Sequence, residues 1–356
     1  MKLSSLSIMI LAVIFSVSCG TQSNKQVQKE QSPKISFVED STLNKIDILI
    51  DGNLFTSYQW PDNVFKPILY PILTSAGTEI TRGFPIVPRT GERTDHLHQV
   101  GMWLTYGNVG GNDFWGNGSQ GLGIKNTNGG VIQHLGVEKI SVGVGEGLLV
   151  TSESWLDSLG KELLKEHTEY HFIAKGSTRI IDRITTLTAC DNDVSMPDTK
   201  EGMFGIRVAR QLELPSTDEI TLYSADGHPT KVKAMANEGI SGNYLSSEGT
   251  TGLDVWGTRA KWMDLYGNVE GEKISLVLCD HPKNQNYPTY WHARGYGLFS
   301  ANPLGVKDFT QGKEELDFSI PAGLSTSFRY RVIVSSGSHL TEAEINAYAD
   351  DFAKKY

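Results

Sequence analysis

The sequence predicts an all-β protein: a large antiparallel β-sandwich with one C-terminal α-helix. Three observations carry this expectation. Short runs in which apolar and polar residues alternate with period two recur from about residue 34 onward. Turn signals separate them, at Asp51-Gly52, Asn128-Gly129-Gly130 and Ala322-Gly323. Strands do not alternate with long helices, which disfavours a parallel α/β fold.

Taken in order, the chain opens with a targeting segment, residues 1–18. Lys2 supplies a positive start, and Ile8 to Val17 form an apolar stretch too short to span a bilayer. Cys19 follows small residues, so it is the expected lipidation site. The expected product is an exported lipoprotein, in the periplasm or on the outer-membrane surface, touching membrane only through that lipid. Residues 19–33 hold the lipidated Cys and a polar, flexible tether. Residues 34–356 are expected to form a single β-sandwich domain.

The clearest strand runs are 45–52, 147–157, 166–174, 178–189, 273–280 and 325–337. In 166–174, His167, Glu169 and His171 share one face, while Thr168, Tyr170 and Phe172 share the other. A helix is expected over 341–355. Thr341 with Glu344 three residues on fits a capping box. Ile345, Tyr348, Ala349 and Phe352 then form one apolar stripe for docking onto a sheet. No shift in composition divides residues 34–338, so wide sheets with long functional loops are expected.

Composition narrows the function. Of 356 residues, 32 are Lys or Arg and 41 are Asp or Glu, for a net charge of −9. No basic run stands out, so a nucleic-acid partner is not expected. After Cys19 only Cys190 and Cys279 remain, with no CxxC, so thiolate metal or redox chemistry is not expected. The two form either one disulfide or two free thiols.

Three segments concentrate reactive side chains. The first, GERTDHLHQVGMWLTYGNVGGNDFWG (91–116), holds His96 and His98 on one side of an extended chain. That spacing suits two metal ligands, a ligand beside an acid–base group, or two ordinary strand histidines. Arg89, Arg93, Asp95 and Asp113 surround it, with Trp103, Phe114 and Trp115 as flat apolar surface of the kind a sugar ring stacks on. The second, DTKEGMFGIRVAR (198–210), places Glu201 beside Lys200 at a strand entrance, ahead of Arg207. Glu201 there is a general base, a sugar-hydroxyl acceptor or half of a surface ion pair. The third, DHPKNQNYPTYWHARGYGLF (280–299), joins Asp280 and His281 to Tyr290, Trp291, His292 and Arg294. It reads as a site loop or as an aromatic Ω-loop packed on itself. His134 is a further candidate imidazole, and His167 and His171 read as solvated.

These segments, together with GNYLSSEG (242–249) and VWGTRAKW (255–262), resemble the DUF6807 family over roughly residues 60–340. That family is often labelled "methane oxygenase PmoA". Methane oxygenase subunits sit in membranes, and no spanning run follows residue 18 here, so methane oxidation is not expected. Family members usually carry Asp-His-Pro-His-His where this chain has Asp95-His96-Leu97-His98-Gln99, so the third imidazole is missing. The resemblance implies a galactose-mutarotase-like supersandwich, in which one sheet face binds a sugar and His with Glu or Asp moves protons.

The expected function is therefore carbohydrate chemistry by His/Glu acid–base catalysis: mutarotation, epimerisation, or elimination of the lyase or dehydratase type. His98 and His292 are the expected proton movers, with Glu201, His281 and Asp280 as further catalytic candidates. His96, Arg207, Arg294, Trp103, Trp115, Tyr290 and Trp291 are the expected substrate contacts, the arginines holding a substrate acid or hydroxyls. The partner is a small sugar or oligosaccharide. No cofactor is required, although His96, His98 and Glu201 admit a divalent metal, which would make the protein a metal-dependent sugar-modifying hydrolase. The other alternative is a non-catalytic sugar-binding lipoprotein.

Overall fold

Where the sequence alternates, the backbone pairs. In the strand Lys45–Ile50, Ile46, Ile48 and Ile50 point inward and are buried. Asp51 and Gly52 both adopt positive φ, 49° and 83°, which lets the chain turn tightly into the strand Asn53–Gln59. In the strand Glu162–Lys175, Thr168, Tyr170 and Phe172 are buried, while the face bearing His167, Glu169 and His171 is exposed or half-buried.

The computed structural model describes residues 32–116, 128–233 and 237–356. The targeting segment, Cys19 and almost all of the tether lie outside them. The strands build two broad antiparallel sheets. One has nine strands, in the order Tyr290–Trp291, Leu298–Asn302, Gly202–Arg207, Met102–Tyr106, Ile68–Ile72, Asn53–Gln59, Lys45–Ile50, Lys34–Asp40, Gly143–Val144. The other has eight, in the order Asn243–Ser246, Trp262–Val269, Glu272–Asp280, Ser325–Ser336, Thr178–Ala189, Glu162–Lys175, Glu146–Leu156, Val131–Ser141. The main core lies between them, with residues such as Ile48, Leu104 and Phe204 from one sheet and Phe172, Leu276 and Val332 from the other. This is the wide two-sheet sandwich that the alternation and the turn signals predict.

The helix Glu342–Lys355 starts where its cap predicts. The Thr341 side chain accepts from the Glu344 N–H, and the Glu344 carboxylate accepts from the Thr341 N–H. Ile345 and Phe352 pack on Trp262, Val277, Cys279 and Ile333, the outer face of the eight-stranded sheet. Cys190 and Cys279 are both free thiols. Among the described residues no helix is long and apolar enough to cross a membrane.

Candidate functional site

The site lies on the other outer face, that of the nine-stranded sheet. Along Met102–Tyr106, the side chains of Met102, Leu104 and Tyr106 enter the main core. Trp103 points the opposite way, into a separate cluster with Ile68, Tyr70, Trp115 and Leu298. Loops pile onto this second face and leave a cleft of about 500 Å³. All three reactive segments reach it. The first brings His96, His98, Asp113 and Trp115, the second Lys200 and Glu201, and the third His292, Arg294 and Tyr296.

Two buried arginines shape the first loop. Arg82 donates to the carbonyls of Arg93, Asp95, His96 and Gln99 at 2.8–3.2 Å and to Asp95 Oδ1 at 2.9 Å. Arg207 donates to the same Oδ1 and to Gln99 Oε1, each at 2.6 Å. Burial pushes the Asp95 carboxyl up, but Arg207, His96 and Arg82 together outweigh it and hold the group ionised, well below the ordinary range. Asp95 also lies 3.2 Å from His96 Nδ1. His96 has φ 43°, a conformation uncommon outside glycine, and these clamps hold it there. The His96 ring stacks on Tyr296, with centroids 4.8 Å apart and planes within 4°.

Of the imidazoles that line the cleft, His98 and His292 keep unused hydrogen-bonding capacity. The His98 ring has no hydrogen-bond partner among the described residues, and His292 Nδ1 is buried and unpartnered. Burial pushes His98 down to about 2, with help from Lys66, His96, Arg207 and Arg82. Burial also pushes His292 down to about 3, reinforced by Arg294 and Lys200 and partly offset by the Lys200 backbone. Both rings are therefore neutral at pH 7. Glu201 pairs with Lys200 at the rim. Gly107 lets Glu201 come close: a Cβ there would stand 2.8 Å from Glu201 Cβ and 3.0 Å from its carbonyl oxygen.

Several anticipated residues lie elsewhere or do different work. Arg207 is fully buried and serves as a loop clamp, because Gln99 and Asp95 occupy its two terminal nitrogens. Trp103 sits beneath the cleft, against Trp115 at 5.3 Å. Trp115 reaches the floor but is only 1% exposed, so it offers little stacking face. Trp291 is in the main core and donates to the Ala260 carbonyl. Tyr290, its neighbour on the strand, packs on Phe309 and under Arg259. Asp280 accepts from Asn284 Nδ2 at 2.7 Å and the Thr289 N–H at 2.8 Å, pinning its own loop. His281 accepts the Lys283 N–H and abuts Phe352 of the C-terminal helix. These last four do not line the cleft, since the third segment divides: its first part packs on itself, and the chain reaches the cleft only at His292. His134 is also elsewhere, bonded to the Tyr58 hydroxyl and stacked on Trp60 at 4.1 Å.

The structure adds Lys66, Arg82 and Tyr296. Lys66 is buried, donates to the His98 carbonyl at 2.6 Å and lies 4.9 Å from the Trp103 ring. Burial pushes it down to about 7, against the pull of Asp113. Its place in Val64-Phe65-Lys66-Pro67-Ile68-Leu69, a lone charge within an apolar run, is the signal that could have found it.

The chain matches a family model over residues 45–350. The chain belongs to DUF6807. The family is described as one of unknown function. A comparison with curated proteins gave no match. Among solved structures, the chain is similar to the galactosidase domain of the α-galactosidase–sucrose kinase AgaSK, at 8% identity and TM-score 0.38, covering 85% of this chain and 42% of that one. It is similar to the GH36 α-galactosidase AgaB from Geobacillus stearothermophilus, at 8% identity and TM-score 0.33, covering 85% and 41%. A GalM/aldose epimerase homologue from C. elegans gives 9% identity and TM-score 0.30, covering 86% and 100%. The chain thus spans about two fifths of the length of the two galactosidases.

For a metal, His96, His98 and Glu201 would have to converge further. Their donor atoms do not all lie within 4.8 Å of one another; among the described residues only Asp198, Glu315 and Asp317 do. Asp198 already accepts the N–H groups of Lys307, Leu316 and Asp317.

Proposed function

We propose that this DUF6807 member is an exported, lipid-anchored protein that carries out acid–base chemistry on a sugar in this cleft. The observation that carries the reading is the meeting of His98 and His292, far apart in sequence, as neutral imidazoles with unused hydrogen-bonding capacity on one cleft. A neutral imidazole accepts a proton and, once protonated, returns it. One ring takes a proton from a sugar hydroxyl or an acidic C–H and, once protonated, returns it to the ring oxygen or a departing group, while the other neutral ring hydrogen-bonds a neighbouring hydroxyl. Glu201 orients a hydroxyl from the rim, and Tyr296, held flat by His96, gives the sugar a platform. This set serves ring opening, epimerisation and elimination alike. Pure binding needs no pair of free imidazoles, which favours the catalytic reading over simple carriage.

The test is turnover of reducing sugars and uronates by the wild type, His98→Ala and His292→Ala. Either substitution should lower kcat/KM by about 10²-fold or more, the usual scale of a positioned acid or base. Bound sugar with no turnover in the wild type would instead make the protein a carrier.

A further inference from the structure

The chain as a whole is acidic, at −9, yet the cleft is not. Four arginine or lysine cations surround it, Lys200 and Arg294 on its lining and Arg82 and Arg207 behind the His98 loop, with Lys66, charged in part at pH 7, beside them. Asp95, Asp113 and Glu201 answer them at the cleft, and Glu92 and Glu213, which are themselves paired with Arg89 and Arg93, act on the buried arginines from behind. Asp95 is shared between Arg82 and Arg207, at 2.9 and 2.6 Å. Glu201 pairs with Lys200, and Asp113 acts on Lys66. With both cleft imidazoles neutral and Lys200 paired with Glu201, the positive charge left unanswered on the lining is that of Arg294. An unanswered charge in a cleft concentrates ligands of opposite charge.

Arg294 is where that surplus is accessible. Its guanidinium rests on the Trp256 ring at 4.6 Å and has no carboxylate or hydrogen-bond partner among the described residues. It is half-buried and lines the cleft beside His292. Stacking fixes the plane of the fork while leaving its N–H edge available. An edge of this kind matches a planar carboxylate with two parallel hydrogen bonds.

We propose that the cleft takes a sugar bearing a carboxylate, a uronate or aldonate, with Arg294 gripping the acid group and the ring hydroxyls facing His98, His292 and Glu201. The proposal rests on the reading of the cleft as a sugar site. It also resolves a difficulty in that reading. Burial, reinforced by the surrounding cations, keeps His98 and His292 unprotonated and makes them weak bases, and a substrate carboxylate offsets the part that the cations contribute. The ligand itself then raises the basicity of the groups that act on it.

The experiment is calorimetric titration of the purified protein with D-glucuronate, D-galacturonate and D-gluconate, set against the uncharged methyl esters of the two uronates and D-glucose. At least one acid should bind at least about tenfold more tightly than its neutral counterpart, with affinity falling as salt rises. Arg294→Met should remove that preference while leaving the weak ester binding in place. Arg294→Lys, which keeps the charge without the fork, should restore only part of it, and a thermal melt of each variant checks folding. Equal binding of acid and ester, or a preference that survives Arg294→Met, would overturn the proposal. Neutral sugars turned over with His98 and His292 dependence, and uronates ignored, would overturn it while leaving the acid–base reading intact. Failure of every sugar to bind would sink both.

Discussion

Asp280-His281 and His292-Ala293-Arg294 lie in one stretch of chain, and each places an imidazole inside the protein near charged groups. At Asp280-His281 the carboxylate is fully engaged and the ring keeps one unpartnered nitrogen, Nε2, away from the cleft lining. Asn284 and Thr289 hold the carboxylate, and the Lys283 N–H and Phe352 hold the ring. At His292 and Arg294, Nδ1 has no partner, and the guanidinium has only an aromatic face beneath it. Both stretches look equally reactive as sequence. His281 and His292 each keep one buried, unpartnered ring nitrogen, so what separates the structural cluster from the candidate site is that only His292 presents its capacity to the cleft.

The sharpest way to break this comparison is functional. His292→Ala should cost about 10²-fold or more in kcat/KM and leave the fold intact. His281→Ala should leave turnover unchanged and lower the melting temperature, because the ring fills the seam under the C-terminal helix. Equal losses of turnover from both substitutions would mean the two stretches work as one site.

The next test uses pH, where Asp280 and the two cleft histidines should have opposite signs. Burial pushes Asp280 up to about 7, above the roughly 3.9 of an unfolded aspartate. Its contribution to stability is therefore full below about pH 4 and lost as pH rises toward 7. His98 and His292 are pushed down to about 2 and 3, below the roughly 6.5 of an unfolded histidine. Their contribution is full above about pH 6.5 and lost as pH falls toward 3. Urea melts across pH 3–8 should show Asp280→Asn flattening the limb toward neutrality and His98→Gln flattening the acid limb. Swapped effects would mean the burial of one region is misjudged.

A smaller effect is expected at the cleft wall. Gly107→Ala would bring a Cβ to 2.8 Å from Glu201 Cβ, so one of the two must shift. Overpacking of this kind costs about 1–3 kcal/mol. Turnover should fall with it if Glu201 orients the substrate, and should hold if Glu201 is only a rim ion pair.

The architecture was legible because it depends on short-range patterns. Period-two alternation at Ile46, Ile48 and Ile50, the Asp51-Gly52 turn and the Thr341–Glu344 cap each report the local backbone directly. The site was legible in part. His96, His98, Glu201, His292, Arg294 and Trp115 line one cleft, as their chemistry predicts. Arg207 was misread because a free arginine and a clamp look alike until Asp95 and Gln99 are seen on it. Trp291 and Tyr290 were misread because an aromatic in a strand faces core or cleft by register alone, and register is set by the partner strand Leu298–Asn302. Lys66 and Arg82 escaped notice because they act from behind the loop, through backbone carbonyls that no motif encodes.

The smallest effect separates two tyrosines. Tyr296 stacks on His96 and carries the Arg207 guanidinium 4.9 Å over its ring, with its hydroxyl beside the Gln99 side chain. Tyr290 offers a similar ring to Phe309 and Arg259, outside the cleft. Tyr296→Phe keeps the ring and loses one hydrogen bond, so stability should change by about 1 kcal/mol or less. Turnover should stay within a few-fold if the ring is the platform. Tyr296→Ala should then raise KM clearly, because the flat surface and the brace on His96 go together. Tyr290→Phe should leave both quantities unchanged. A loss of turnover in Tyr296→Phe as large as in Tyr296→Ala would place the hydroxyl, and not the ring, in contact with the substrate, and would add a third proton-bearing group to the two imidazoles.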